Sequence, residues 1–175
     1  MSLMTIEEVN ALSHGEFIAR LGWIFEHSPW VAERTWAKRP FLSIAHLHAA
    51  MMETVERAIR PKKLELLRAH PDLGARARVG IPSAAPLSAA SAAEQKGAGL
   101  DQLTIAEHER LMRLNAAYQK EFGFPFIYAV KGANKHDILK ALERRLTEPE
   151  DAEFEEALRQ VYRIARFRLE DAVQG

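Results

Sequence analysis

An all-α fold, a single-domain multi-helix bundle, follows from three features of this 175-residue sequence. Capping signals recur, with a hydroxyl or amide residue followed three places later by an acid, as in Ser13/Glu16, Thr104/Glu107 and Asn134/Asp137. Apolar residues return at spacings of three and four, the period of a helix with one buried face. No stretch alternates apolar and polar residues for a useful strand length. The length suits one domain over residues 1–175, since neither half carries enough apolar surface to fold comfortably alone.

In chain order, Ser13 and Glu16 open a helix whose Phe17, Leu21, Ile24 and Phe25 share a face. Ser28-Pro29 stops it and starts a short second helix, which Pro40 closes. Ser43 leads into Leu47, Met51, Val55 and Ile59, ended by Pro61, and a further helix with Leu64 and Leu67 runs to His70-Pro71. From Gly74 to Gly99 the chain is rich in Ala, Ser, Gly and Pro, a surface crossing with at most a short helix after Ser91. Thr104 opens a long helix through Leu111, Leu114, Tyr118 and Phe122 that stops at Gly123. Tyr128-Ala129-Val130 forms at most a brief extended piece, Asn134 opens the next helix, and a last one from about Ala152 carries Phe154, Leu158, Val161, Tyr162, Ala165, Leu169 and Ala172 on one stripe.

Composition narrows the function. Basic and acidic residues balance at 24 each, so no global field recruits nucleic acid or an anionic membrane, and a small molecule is the expected partner. The absence of cysteine excludes disulfides, thiolate metal sites and cysteine nucleophiles, and suits the cytoplasm. No stretch approaches the roughly 20 apolar residues of a membrane span, and the first residues lack the pattern of a secretion signal.

Several residues bear chemistry, each with a plainer role beside it. His70 sits at a helix end with Pro71 barring continuation; alone it reads first as a helix-end cap and second as a proton-handling group. Asp72 either orients that ring or begins a turn. Ser91-Ala92-Ala93-Glu94 has the spacing of a capping box, yet Glu94-Gln95 also sets a carboxylate and an amide side by side, suited to gripping ureas. In Phe122-Gly123-Phe124-Pro125-Phe126-Ile127 the rings suit a core, while backbone groups released after Gly123 could face a pocket. Arg166 and Arg168 flank the last apolar stripe on opposite sides; both could snorkel outward, and one turned inward needs an anion. His46 and His48 diverge by about 200° around a helix and cannot clamp one ion, and no metal site is expected.

Segments spread along nearly the whole chain are, in order, Phe25-Glu26-His27-Ser28-Pro29-Trp30-Val31, His70-Pro71-Asp72-Leu73, Ser88-x-x-Ser91-x-x-Glu94-Gln95, Leu114-Asn115-x-x-Tyr118, Phe122-Gly123-Phe124-Pro125-Phe126 and Ile164-Ala165-x-x-Arg168-Leu169. Together they resemble the 2-oxo-4-hydroxy-4-carboxy-5-ureidoimidazoline (OHCU) decarboxylases of urate degradation. The resemblance implies an all-α homodimer that needs no metal or organic cofactor and releases CO2 to give (S)-allantoin. Carried over by position, it implies His70 and Glu94 as catalytic groups and Pro71, Ser88, Gln95, Phe126, Ile127 and Arg168 as substrate contacts, Arg168 taking the anionic part. The chain departs from the family pattern between Gly74 and Pro86. A non-catalytic helical interaction module would explain caps and core equally well, and a hydrolase or isomerase of a related ureide is the other competitor; CO2 release and optically active product separate these from a decarboxylase.

Overall fold

The computed structural model describes residues 2–74 and 88–175. It is all-α: nine α-helices and one 3-10 turn occur among the described residues, with a single bridge between Met4 and Val173 as the only strand-like pairing there. Of the crossing expected from Gly74 to Gly99, residues 75–87 lie outside the described residues, and Ala89–Gly97 form a helix that starts before Ser91. The chain divides into two compact units, one of residues up to Leu66 with Tyr162–Gly175, the other Leu67–Val161.

The first unit begins with α1 (Ile6–Ala11), a helix not expected from the sequence, opened by Thr5 and Glu8 in a reciprocal capping box. The Ser13–Glu16 box opens α2 (His14–Leu21), which ends at Gly22. The shared face of Phe17, Leu21, Ile24 and Phe25 is therefore half helical: all four are buried, but Ile24 and Phe25 lie in the turn beyond the helix. Burial of apolar area does not distinguish helix from turn, so periodicity overran the true end. Ser28 does not cap the next helix, α3 (Trp30–Thr35); its hydroxyl donates to the Glu26 carbonyl instead. A 3-10 turn, Trp36–Lys38, follows, and α3 packs against α2 and α4 (Ile44–Glu56), whose N-cap is Ser43. Leu47, Met51 and Val55 are fully buried, whereas Ile59 is exposed outside the helix. Pro61 lies in the first turn of α5 (Arg60–Arg68), where its missing N–H leaves no bond unmade, so it begins a helix rather than ending one.

In the second unit the helices are α6 (Ala89–Gly97), α7 (Ile105–Phe122), α8 (Lys135–Arg145) and the first half of α9 (Glu150–Ala172). Thr104–Glu107 and Asn134–Asp137 form the expected boxes, and Gly123 closes α7 at φ 78°, a left-handed conformation that glycine takes without strain. The core is aromatic: Tyr118 packs edge-on to Phe124 and Phe126, and Phe124 edge-on to Phe154. Within it lies an ion pair. Arg145 Nε donates to Glu153 Oε1 at 2.5 Å, Tyr118 Oη donates to the same oxygen at 2.5 Å, and both charged side chains are essentially inaccessible to water. Burial, with the Glu153 carboxylate holding its proton, pushes the Tyr118 hydroxyl far above its ordinary range.

His48, on α4, donates from Nε2 to the Tyr162 carbonyl at 2.8 Å. Burial holds its pKa below the ordinary 6.5 and Arg166 pushes the same way, against the opposing pull of the Tyr162 carbonyl and Glu170. The unfolded chain therefore binds this proton more readily than the folded one. The stability lost on acidification begins near pH 6.5 and grows as pH falls toward the folded pKa. Thermal unfolding of the wild type should lose more between about pH 7.5 and 5.5 than that of His48→Gln, whose curve should be flatter.

Candidate active site

The second unit builds its most constrained feature around a short irregular corner. After α5 the backbone turns, with His70 N–H donating to Leu67 O at 3.2 Å, and His70 and Pro71 are both buried. Pro71 cannot continue the helix. Three side-chain amides then tie the next residues. Gln119 Nε2 donates to Asp72 Oδ1 at 2.7 Å, Asn115 Nδ2 to the Leu73 carbonyl at 3.0 Å, and the Gly74 N–H to Gln95 Oε1 at 2.9 Å. Asn115 and Gln119 stand four residues apart on α7 and so share a face. Arg68 Nε joins the end of α5 to the Gly123 carbonyl at 2.9 Å. Gly74 has φ 75°, and a Cβ there would lie 2.7 Å from Leu111 Cδ2, so any other residue would be strained and would displace the leucine. The imidazole is thus carried on a backbone with little freedom. Asp72, which the sequence left between orienting the ring and starting a turn, serves as the anchor for Gln119.

On α6 the structure revises the cap. Ser88, not Ser91, is the N-cap, and its hydroxyl accepts from the Ser91 N–H at 3.1 Å. Both serines have the capping chemistry; the earlier is used, which adds a turn and places Ser91 and Gln95 together on a buried face. Glu94 is therefore no capping acid. It sits mid-helix and half-buried, beside Gln95, whose carbonyl is held by Gly74 so that its NH2 is the face presented as donor.

Phe126 and Ile127 are buried in an irregular segment, 125–130, that follows Gly123. Side chains replace its missing strand partners: Arg145 Nη1 donates to the Ile127 carbonyl at 2.6 Å and the Ala129 N–H donates to Gln160 Oε1 at 3.0 Å. The Arg145 guanidinium also lies 4.5 Å from the centre of the Phe126 ring. The Ile127 carbonyl, among the backbone groups expected to point into a pocket, is thereby already engaged.

In the first unit, Arg168 faces inward and Arg166 outward, where Arg166 pairs with Glu170. Arg168 Nη2 donates to Glu26 Oε2 at 2.8 Å, and Nη1 to the Trp23 carbonyl at 3.2 Å. The second unit thus brings Pro71, Ser88, Gln95 and Glu94 onto the corner and helix that flank it, with His70 at the corner and Phe126 and Ile127 under Arg145; Arg168 belongs to the other unit. Sequence reasoning missed Arg145, Glu153, Gln119 and Gln160, and gave Glu26 no role. A signal existed for two of them. Arg145 falls at helical spacing from Ile138 and Leu142, and Glu153 from Ala157 and Val161, so both are charges on apolar stripes. His46 and His48 serve separate partners, the Leu42 N–H and the Tyr162 carbonyl.

The OHCU decarboxylase family profile matches residues 10–170. A 2-oxo-4-hydroxy-4-carboxy-5-ureidoimidazoline decarboxylase of Haloferax volcanii is 46% identical over 97% of this chain and 96% of its own. The uric acid degradation bifunctional protein PucL of Bacillus subtilis is 43% identical over 98% of this chain, which spans 33% of that protein. Among solved structures, an (S)-allantoin synthase superposes with a TM-score of 0.77 at 36% identity, covering 98% of this chain and 54% of that one. Fold and relatives define a helical carboxy-lyase. The chain belongs to the OHCU decarboxylase family.

Because Ser88 caps α6 and Glu94 does not, only the loss of Ser88 should cost the fold stability. Ser88→Ala should cost about 1 kcal/mol in denaturant unfolding, whereas Glu94→Gln should stay within about 0.5 kcal/mol of the wild type while turnover falls. A Glu94→Gln protein with unchanged turnover would remove the carboxylate from the chemistry.

Proposed function

We propose that the chain decarboxylates 2-oxo-4-hydroxy-4-carboxy-5-ureidoimidazoline to (S)-allantoin, with His70 as the proton-handling group. The observation that carries the assignment of His70 is its setting: a buried imidazole on a corner where Asp72, Leu73 and Gly74 are each held by an amide from α6 or α7. A proton donor must be held in place to act on one face of its substrate, and a corner fixed in this way meets that need.

The chemistry needs little else from the protein. The bond between the ring carbon and its carboxylate breaks, CO2 departs, and the electron pair moves into the neighbouring ring C=N, so the electron sink belongs to the substrate. The enamine-like product of that step then takes a proton on carbon. His70 handles the hydroxyl proton or delivers this last one, and delivery from one side accounts for a single enantiomer. Glu94 and the donor face of Gln95 hold the ureido or ring amide by paired hydrogen bonds, with Ser88 adding another. Arg168 takes the anionic group. Pro71, Phe126 and Ile127 are assigned to the apolar walls that exclude water.

The same reading makes the chain a homodimer, as the resemblance implies, and a single-domain cytoplasmic protein, as its length and lack of cysteine suggest. Among the described residues no helix is long and apolar enough to cross a membrane. Sedimentation equilibrium should return twice the 19.8 kDa chain mass.

His70→Asn should fold normally and lower turnover by roughly 100- to 10,000-fold. The assay generates the substrate from urate in situ and follows optically active allantoin by circular dichroism. Near-normal turnover by folded His70→Asn would overturn the assignment.

A further inference from the structure

We infer that Glu26 is a positioning residue for this reaction, acting through the Arg168 guanidinium; the inference rests on the role proposed for Arg168. Glu26 is 1% exposed although it carries a carboxylate, and the Arg168 side chain is 3% exposed. Arg168 Nη2 donates to Glu26 Oε2 and Nη1 to the Trp23 carbonyl, while the Trp23 ring lies 6.0 Å from the guanidinium carbon. A guanidinium held through both Nη atoms has its plane fixed, and a planar fork recognises a carboxylate only in the right plane.

The partners come from the irregular turn after α2, and the turn is itself closely tied. Ile24 N–H donates to Leu21 O, Ser28 N–H to Phe25 O, Ser28 Oγ to Glu26 O, and the Trp23 indole to Arg20 O. His27 adopts φ 46°, a left-handed conformation that is strained for a residue with a side chain. Such a backbone persists where its surroundings over-determine it, and here it accompanies a half-exposed His27 beside an inward Glu26, with His27 Nε2 3.4 Å from Glu26 Oε1. Stability alone does not call for the pair. The same stripe of α9 is otherwise apolar at Ala165 and Leu169, and a well-packed apolar pair in place of a buried ion pair is often as stable or more so. What an apolar pair cannot do is aim a guanidinium.

Four variants and one probe test this, with the substrate generated from urate. Glu26→Ala should lower kcat/KM by about 100-fold, mainly through KM, as expected for a misplaced binding group. Glu26→Gln, which keeps an acceptor for Nη2, should raise KM by only about tenfold. If Glu26→Ala does not fold, Glu26→Gln decides by the same KM. Millimolar guanidinium should restore part of the activity of Arg168→Ala, and this rescue should be lost in Arg168→Ala/Glu26→Gln. Wild-type KM in folded Glu26→Gln, a loss confined to kcat, or undiminished rescue in the double variant would each overturn the inference. An unchanged KM in Arg168→Ala would instead overturn the role of Arg168 itself, so the two failures are distinct.

Discussion

A guanidinium sealed from water must be answered by charge and by hydrogen bonds, and in the second unit the answer to Arg145 organises everything nearby. Its carboxylate partner Glu153 stands in the first turn of α9, the same oxygen receives the Tyr118 hydroxyl of α7, and another guanidinium nitrogen holds the Ile127 carbonyl. One cation on α8 thereby links two other helices and an irregular segment. Leaving either ion without its partner would strand a charge in the core, typically a loss of about 3–5 kcal/mol. The constraint is directional as well as energetic, because a planar guanidinium dictates where each acceptor lies.

Among the described residues, the principle recurs where the chain leaves helical structure near the residues assigned to chemistry. Backbone groups buried without helix or strand partners are costly, and this protein meets that cost with side-chain amides and guanidinia projected from neighbouring helices. Asn115, Gln119 and Gln95 tie the His70 corner, Arg145 and Gln160 tie the segment carrying Phe126 and Ile127, and Arg168 caps the Trp23 carbonyl. Helices supply rigidity, and the irregular pieces present chemistry at angles a helix does not offer. For a decarboxylation whose electron sink lies in the substrate, holding groups still is most of what a protein has to contribute.

Polar residues in such a fold divide by what they answer. Glu107, on the surface, has its carboxyl held down to about 2 by Lys135 and by the Thr104 N–H it accepts, a capping role with no chemical consequence. Glu94 has the same side chain and sat in an apparent capping pattern, yet the cap belongs to Ser88. Residue type and spacing are alike in the two cases; the start of the helix separates them.

The sequence by itself determined the elements that depend on neighbours close in the chain. Ser13 with Glu16, Thr104 with Glu107 and Asn134 with Asp137 satisfy amides within one turn, and Gly123 ends a helix by its own conformation, so these boundaries were legible from local chemistry. The set of residues resembling the family was legible for the same reason, as segments in order. Tertiary structure alone decided that Ile24 and Phe25 are buried from a turn, that Ser88 caps in place of Ser91, and that Arg168 turns inward while Arg166 does not. The last of these rests on a partner distant in the sequence, Glu26 lying 142 residues from Arg168. A charge on an apolar stripe is stable or ruinous according to what meets it across the core, and periodicity along one helix carries no information about the other side.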